Sequence, residues 1–347
     1  MKIVSGLGCV DDYIRLVKAG ADEFFCGYVP YEWNQKYGVL SPLNRREVLY
    51  VNVQIGCMSE MEILHKMVEK YQVPVKITFN SLYYLEEQYE MIAQIIRQLM
   101  EIGFDTFIIA DLALIQYLRE KKIKCFIHLS GETAELNRLA TDVFNEFDIK
   151  RYIFHRKNTI KDMTACIDYN QEKHLEYEAF ILNERCHFTG AFCNSLHCDE
   201  LPHLCKVPYQ MARIEKGTSK FQEVEWKFRE HGLMMQDVIT QDFSDEMNEN
   251  IEYTQEEEES QITTGSTGCG LCALMQLKKA GVTHLKLVGR GNHVDSIEQD
   301  ILQLRKALNL LDQEQEETAF QERMQRELFQ GSCSHTCYYY ESNPQTC

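Results

Sequence analysis

Residues 73–111 read VPVKITFN (73–80), SLYY (81–84), LEEQYEMIAQIIRQLME (85–101), IG (102–103) and FDTFIIAD (104–111). Val73–Asn80 reads as a β-strand and Leu85–Glu101 as a helix that ends near Gly103. Phe104–Asp111, rich in β-branched and aromatic residues, reads as the next strand. Two strands joined through a helix lie parallel, because the helix carries the chain back to the sheet's starting edge.

The same unit recurs on both sides. Upstream, Lys2–Gly6 is a short apolar strand, Val10–Gly20 a helix and Asp22–Gly27 a strand. Val48–Ile55 is strand-like, and Ser59 is placed to cap a helix through Lys70. Downstream, Lys124–Ser130, Arg151–His155 and Leu175–Leu182 read as strands, with helices at Leu112–Lys121, Ala134–Phe147 and Ile160–Tyr169. A last unit has a helix at Cys272–Ala280, a strand at His284–Val288 and a helix at Ser296–Leu311. About eight such strands favour closure, so the expected fold is α/β, a TIM-barrel-like (β/α)8 barrel.

The repeat fails between Arg185 and Gly268, where cysteines, Pro202, Pro208 and acidic runs replace it. This predicts a barrel domain over 1–311 with an inserted irregular segment, 185–268, on the barrel's C-terminal face. An acidic mobile loop is expected over 242–260, and a helical extension with a cysteine-containing tail over 312–347. Barrels of this type place their chemistry at the C-terminal strand ends. Polar residues gather there: Asn52, Asn80, Asp111, Ser130, His155, Arg156, Glu184 and Arg290. Arg45, Arg46, Arg156 and Arg290 are the candidates to hold an anionic substrate, since guanidinium forks match carboxylates.

The chain has 347 residues with 44% hydrophobic content, enough for a large core. No apolar run reaches the ~20 residues that a spanning helix needs. The N-terminus turns polar at Asp11 and Asp12, which reads as a first strand and not a signal peptide, so a cytoplasmic address is expected. A net charge of −17 without a basic stripe disfavours broad binding of a nucleic-acid backbone.

Fourteen cysteines are many for a reducing compartment. Cys26, Cys125 and Cys166 sit among apolar residues and read as buried thiols. Cys186, Cys193, Cys198 and Cys205 crowd together, and Cys269 and Cys272 form a second pair within Cys-Gly-Leu-Cys, just before a helix start that favours thiolate. Thiolates converging on one point bind iron–sulfur clusters. Zinc is the rival, weakened because there is one CxxC and the other spacings are irregular. Cys333 and Cys337, in Cys-Ser-His-Thr-Cys, read as tail thiols.

Several blocks resemble the peptidase U32 family. Glu178-Ala-Phe180, then Cys186, Ala191, Phe192 and Cys193, is similar to that family's two-cysteine signature. Lys18-Ala-Gly-Ala-Asp22 with Phe25-Cys-Gly27 resembles its opening, and His128-Leu-Ser130 with Asn137 its mid-barrel motif. Ala280-Gly-Val282 leading to Leu285-Lys-Leu-Val-Gly-Arg290 resembles its Lys-Ile-Glu-Gly-Arg block. The resemblance implies a barrel and a [4Fe-4S] cluster on Cys186, Cys193, Cys205 and Cys272, with Cys269 and Cys198 as substitutes. It also implies one of two activities: collagenase-like proteolysis, or oxygen-independent hydroxylation of ubiquinone precursors or RNA bases with oxygen from prephenate. The substrate is then a small anion or a peptide. A third implied role is a non-catalytic iron–sulfur partner of a related U32 subunit. Asn183-Glu-Arg185, Leu196 and Val288 depart from the family pattern, so no family catalytic residue is carried over.

Overall fold

The computed structural model describes residues 1–38, 41–45, 54–184, 186, 222, 226, 264–265, 267–329, 333 and 336–339. By internal contacts the chain divides into two units, 1–205 with 261–347, and 206–260. The described elements belong to the first.

Eight strands form a closed, all-parallel barrel in sequence order. They are β1 (Lys2–Gly6), β2 (Glu23–Gly27), β3 (Val75–Phe79), β4 (Thr106–Ile109), β5 (Phe126–Leu129), β6 (Ile149–Ile153), β7 (Glu176–Leu182) and β8 (His284–Leu287). β8 closes on β1 through the register Ile3↔Leu285. This is the expected (β/α)8 barrel.

The helices follow the strands: α1 (Tyr13–Ala19), α2 (Tyr31–Tyr37), α3 (Met58–Tyr71), α4 (Tyr89–Ile102), α5 (Leu112–Glu120), α6 (Arg138–Asn145), α7 (Ile160–Tyr169), α8 (Leu274–Ala280), α9 (Val294–Leu311) and α10 (Glu317–Leu328). Local chemistry sets their ends. Asp111 caps α5 by accepting from the Ala113 amide, Asn137 caps α6, and Thr159 with Asp162 forms a capping box on α7. α4 buries Ile92, Ile95, Ile96 and Leu99 and stops at Gly103, whose φ of 124° suits only glycine.

Two local expectations change. β2 pairs directly with β3, so the barrel closes without a strand at Val48–Ile55. Residues 48–53 lie outside the described ones, and Ile55 makes a single parallel bridge to Tyr28. The N-cap of α3 is Cys57 and not Ser59, since the helix starts two residues earlier, at Met58. The expected insertion falls almost wholly outside the described residues.

The lumen is not the stack of branched apolar residues usual in such barrels. Alternate residues of each strand face inward, and these carry a chain of charges. Arg151 of β6 donates to Glu23 of β2, to Glu176 and Glu178 of β7, and faces the His284 ring of β8. Glu178 in turn accepts from Lys286 of β8 at 2.8 Å. Arg151 and Glu178 are 1% and 0% exposed. Buried charges persist only when paired, and here the pairing ties four strands together across the barrel axis.

Candidate functional site

Above this charged layer lies a cavity of about 80 Å³ at the C-terminal strand ends. Its walls include Phe25, Thr78, Ile108, Ser130, Ile153, Phe180 and Val288, with Arg45, Asn80, Glu132, Arg156, Glu184, Lys286 and Arg290. Most come from the C-terminal halves of strands or the segments after them, so the barrel's closure assembles the site.

Glu132 organises two of the arginines. One of its oxygens lies 3.1 Å from Arg156 Nη1 and the other 3.2 Å from Arg45 Nε. Arg156 also lies over the Phe180 ring, 4.1 Å from its centroid. Burial disfavours the Arg156 charge, but Glu132 and the neighbouring Tyr338, Glu184 and Cys186 hold its pKa above the usual value. Arg290 donates to Thr78 Oγ1 at 2.9 Å. Gly27 leaves room for it, since a Cβ there would stand 2.6 Å from Arg290 Nη1. Lys286 Nζ sits 3.6 Å from the Phe25 ring centroid, and burial lowers its pKa against the pull of Glu178.

Of the polar strand-end residues expected from sequence, Asn80, Ser130, Arg156, Glu184 and Arg290 line the cavity. Asp111 and His155 do local work instead. Asp111 accepts from the Tyr84 amide, and His155 Nδ1 accepts from the Lys157 amide. Arg45 lines the cavity, while Arg46 and Asn52 lie outside the described residues. Sequence reasoning missed Lys286, Glu132 and Glu178 as site or lumen residues. Period-2 alternation on β7 and β8, with Glu178 and Lys286 in positions normally apolar, is the signal that marks them.

The cysteines separate into groups. Cys26, Cys125 and Cys166 are buried, as expected of thiols in the core. Cys186 lies within electrostatic reach of Arg156. Cys193, Cys198 and Cys205 lie outside the described residues. Cys272 keeps company with Cys269 and Cys333, and burial pushes the Cys269 thiol up to about 12 and raises that of Cys272. Among the described residues no group of three His, Cys, Asp or Glu side chains is set to hold a metal ion. As a donor set, Cys186 and Cys272 suit a soft metal by their chemistry.

Two tail residues pack against the barrel. Tyr338 and Tyr339 are each 6% exposed, Tyr338 donates to the Asn183 carbonyl, and Tyr339 donates to the Phe180 carbonyl at 2.7 Å. Both anchor the tail at the end of β7, beside the cavity wall.

The family model described as Peptidase family U32 matches residues 8–346. The chain belongs to peptidase family U32. A comparison with curated proteins finds no match. Among solved structures, the U32 chain is similar to "The Structure of the U32 Peptidase Mk0906", with 11% identity, 52% of this chain and 69% of that one covered, and a TM-score of 0.40. It is also similar to 2,3-dimethylmalate lyase, a member of the PEP mutase/isocitrate lyase superfamily, at 10% identity, covering 55% and 71% with a TM-score of 0.33. A mandelate racemase/muconate lactonizing enzyme-like protein from Rubrobacter xylanophilus matches at 8% identity, 53% and 50% coverage and a TM-score of 0.35. No described helix of this U32 chain is long and apolar enough to cross a membrane.

Proposed function

We propose that this U32 chain is an iron–sulfur-dependent modifying or redox enzyme, of the oxygen-independent hydroxylation type, that holds a small anionic substrate in the cavity at the barrel mouth. The observation that carries this reading is the arginine cavity itself, with Cys186 in the electrostatic neighbourhood of Arg156. Arg156, Arg45 and Arg290 would grip an oxyanion, with Arg156 kept in place by Glu132 and the Phe180 face. Phe25, Ile108, Ile153 and Val288 would shield the bound molecule from water, which strengthens each ionic contact.

A [4Fe-4S] cluster would be held by Cys186, Cys193, Cys205 and Cys272, with Cys269 or Cys198 as substitutes, and zinc is the alternative occupant. Such a cluster supplies electron transfer or Lewis-acid chemistry. The family's description keeps a second reading, hydrolysis of a peptide.

Two measurements test this. Protein purified under nitrogen is analysed for iron and acid-labile sulfide, then assayed with prephenate and separately with gelatin. The reading expects iron and sulfide that are lost in Cys186→Ala. Gelatin cleavage abolished by a single change outside the cysteines would replace it with the peptidase reading. For the cavity, Arg156→Ala is expected to weaken binding of small carboxylates about 10- to 100-fold, the worth of a charge-assisted bond. Unchanged affinity by calorimetry would remove the anion site.

A further inference from the structure

Lys286 of β8 lines the barrel-mouth cavity, and it precedes Val288 and Arg290 in the chain, so it lies at the deeper end. An ammonium carries three donors. Among the described residues the Lys286 amine uses one of them, toward Glu178 Oε1 at 2.8 Å, and stands 3.6 Å from the centroid of the Phe25 ring. Glu178 does not depend on this lysine alone, because Arg151 also donates to it at 2.7 Å. Burial lowers the Lys286 pKa and the Arg151 charge lowers it further, against the pull of Glu178 and Glu23. A buried amine with spare donors at a cavity wall gives up its proton more readily than a surface one.

The arginines stand one level higher. Gly27 lies two residues beyond Phe25 on β2 and pairs with Thr78 of β3. Arg290 donates to Thr78 Oγ1, and its Nη1 passes so near Gly27 that a Cβ there would be 2.6 Å away. Two residues of a tilted strand rise roughly 5–7 Å along the barrel axis. Amine and guanidinium therefore bracket the cavity from below and above. A 2-oxo acid spans that gap. A C–N bond to its carbonyl carbon, its C–C bond, a carboxylate C–O bond and a hydrogen bond to a guanidinium together reach about 6 Å. The cavity, about 80 Å³, has room for several water-sized groups, enough for a three-carbon molecule.

On the reading of this cavity as a carboxylate site, on which the assignment rests, we infer that Lys286 is a nucleophile that forms a Schiff base with the carbonyl of a small 2-oxo acid. Arg290 and Arg156 hold the acid's carboxylate. The ammonium first releases a proton to solvent, and the nitrogen lone pair bonds to the carbonyl carbon. The carbonyl C–O bond then breaks, and the oxygen leaves as water, taking one proton from the nitrogen and one back from solvent. In sum an ammonium and a carbonyl give an iminium and one water, with charge unchanged and nothing oxidised or reduced. Because the iminium is still a cation, Glu178 keeps its partner throughout, and the ion pair that seats the free amine also stabilises the adduct.

The test incubates the full chain, purified under nitrogen, with pyruvate and cyanoborohydride. The reagent's hydride reduces an iminium carbon and leaves a stable secondary amine, which is located by peptide mass. Expected is a reduced pyruvate adduct on Lys286. Its yield at subsaturating pyruvate should fall about 10- to 100-fold in Arg156→Ala, the worth of a charge-assisted bond. Lys286→Arg keeps a cation for Glu178 and should lose the adduct. Should that variant fold poorly, the position mapped in the unmutated chain decides by itself. Lactate, the same carboxylate without the carbonyl, should compete and leave no adduct. An adduct confined to other lysines, or none while calorimetry shows both acids bound, overturns the Schiff base and leaves the carboxylate cavity standing. Binding of neither acid overturns the carboxylate reading, and the Schiff base with it.

Discussion

Replacing Glu178 with glutamine should destabilise the barrel by about 3–5 kcal/mol, the usual cost of leaving a buried cation without its partner. Glu178 is 0% exposed and accepts from Lys286 Nζ at 2.8 Å and from Arg151 Nη1 at 2.7 Å. Glutamine keeps the shape but removes the charge, and turns an amide donor toward one of the two cations. The titration of Glu178 gives a similar figure. Burial by itself would raise its pKa, but Lys286 and Arg151 more than offset that, and it falls from 4.5 to about 2. A carboxylate with a depressed pKa contributes stability above its unfolded value and loses it as pH falls toward the folded one. The shift corresponds to about 3 kcal/mol, present above pH ~4.5 and gone near pH ~2. Urea unfolding followed by circular dichroism at pH 7 measures the difference, and melting should drop by roughly 4–7 °C. Adding Lys286→Met to Glu178→Gln should restore at least about 1 kcal/mol relative to the sum of the single changes, because the two groups share one interaction. A Glu178→Gln loss below about 1 kcal/mol, or simple additivity with Lys286→Met, would refute the charge network as a structural tie.

Other outcomes follow from single contacts. Asp300 of α9 is raised from 3.8 to about 6 by burial, against the bond from Asn183 Nδ2. Its folded form holds the proton more tightly, so stability is fullest below pH ~3.8 and declines by about 3 kcal/mol as pH rises through ~6. Asp300→Asn keeps an acceptor for Asn183 and should flatten urea midpoints measured between pH 4 and 8 in that window. Gly270→Ala would press a methyl against the Tyr339 ring at 2.9 Å and Ile181 Cδ1 at 3.1 Å. It should cost about 1–3 kcal/mol and speed limited proteolysis of the tail. Tyr339→Phe removes only the bond to the Phe180 carbonyl and should cost about 1 kcal/mol by melting.

The sequence by itself determined the alternation of strand and helix, hence the parallel barrel, because that order leaves few ways to bury each apolar face. β1 and α7 are local matters of side-chain chemistry and were legible as such, whereas the Asn137 cap, inside the helix expected over 134–147, and the Cys57 start of α3 were not. The arginines at strand ends were legible too, since barrel topology fixes which end carries chemistry. Only the tertiary structure decided that Val48–Ile55 is not needed to close the barrel, since an apolar run does not reveal its partner. It alone joined Arg151 to Glu23, residues 128 positions apart, and Lys286 to Glu178, 108 apart. It also carried Cys337 back to Cys269, which local spacing read as unrelated thiols. Pairing across such distances depends on strand register and closure, which are properties of the whole barrel and not of any one segment.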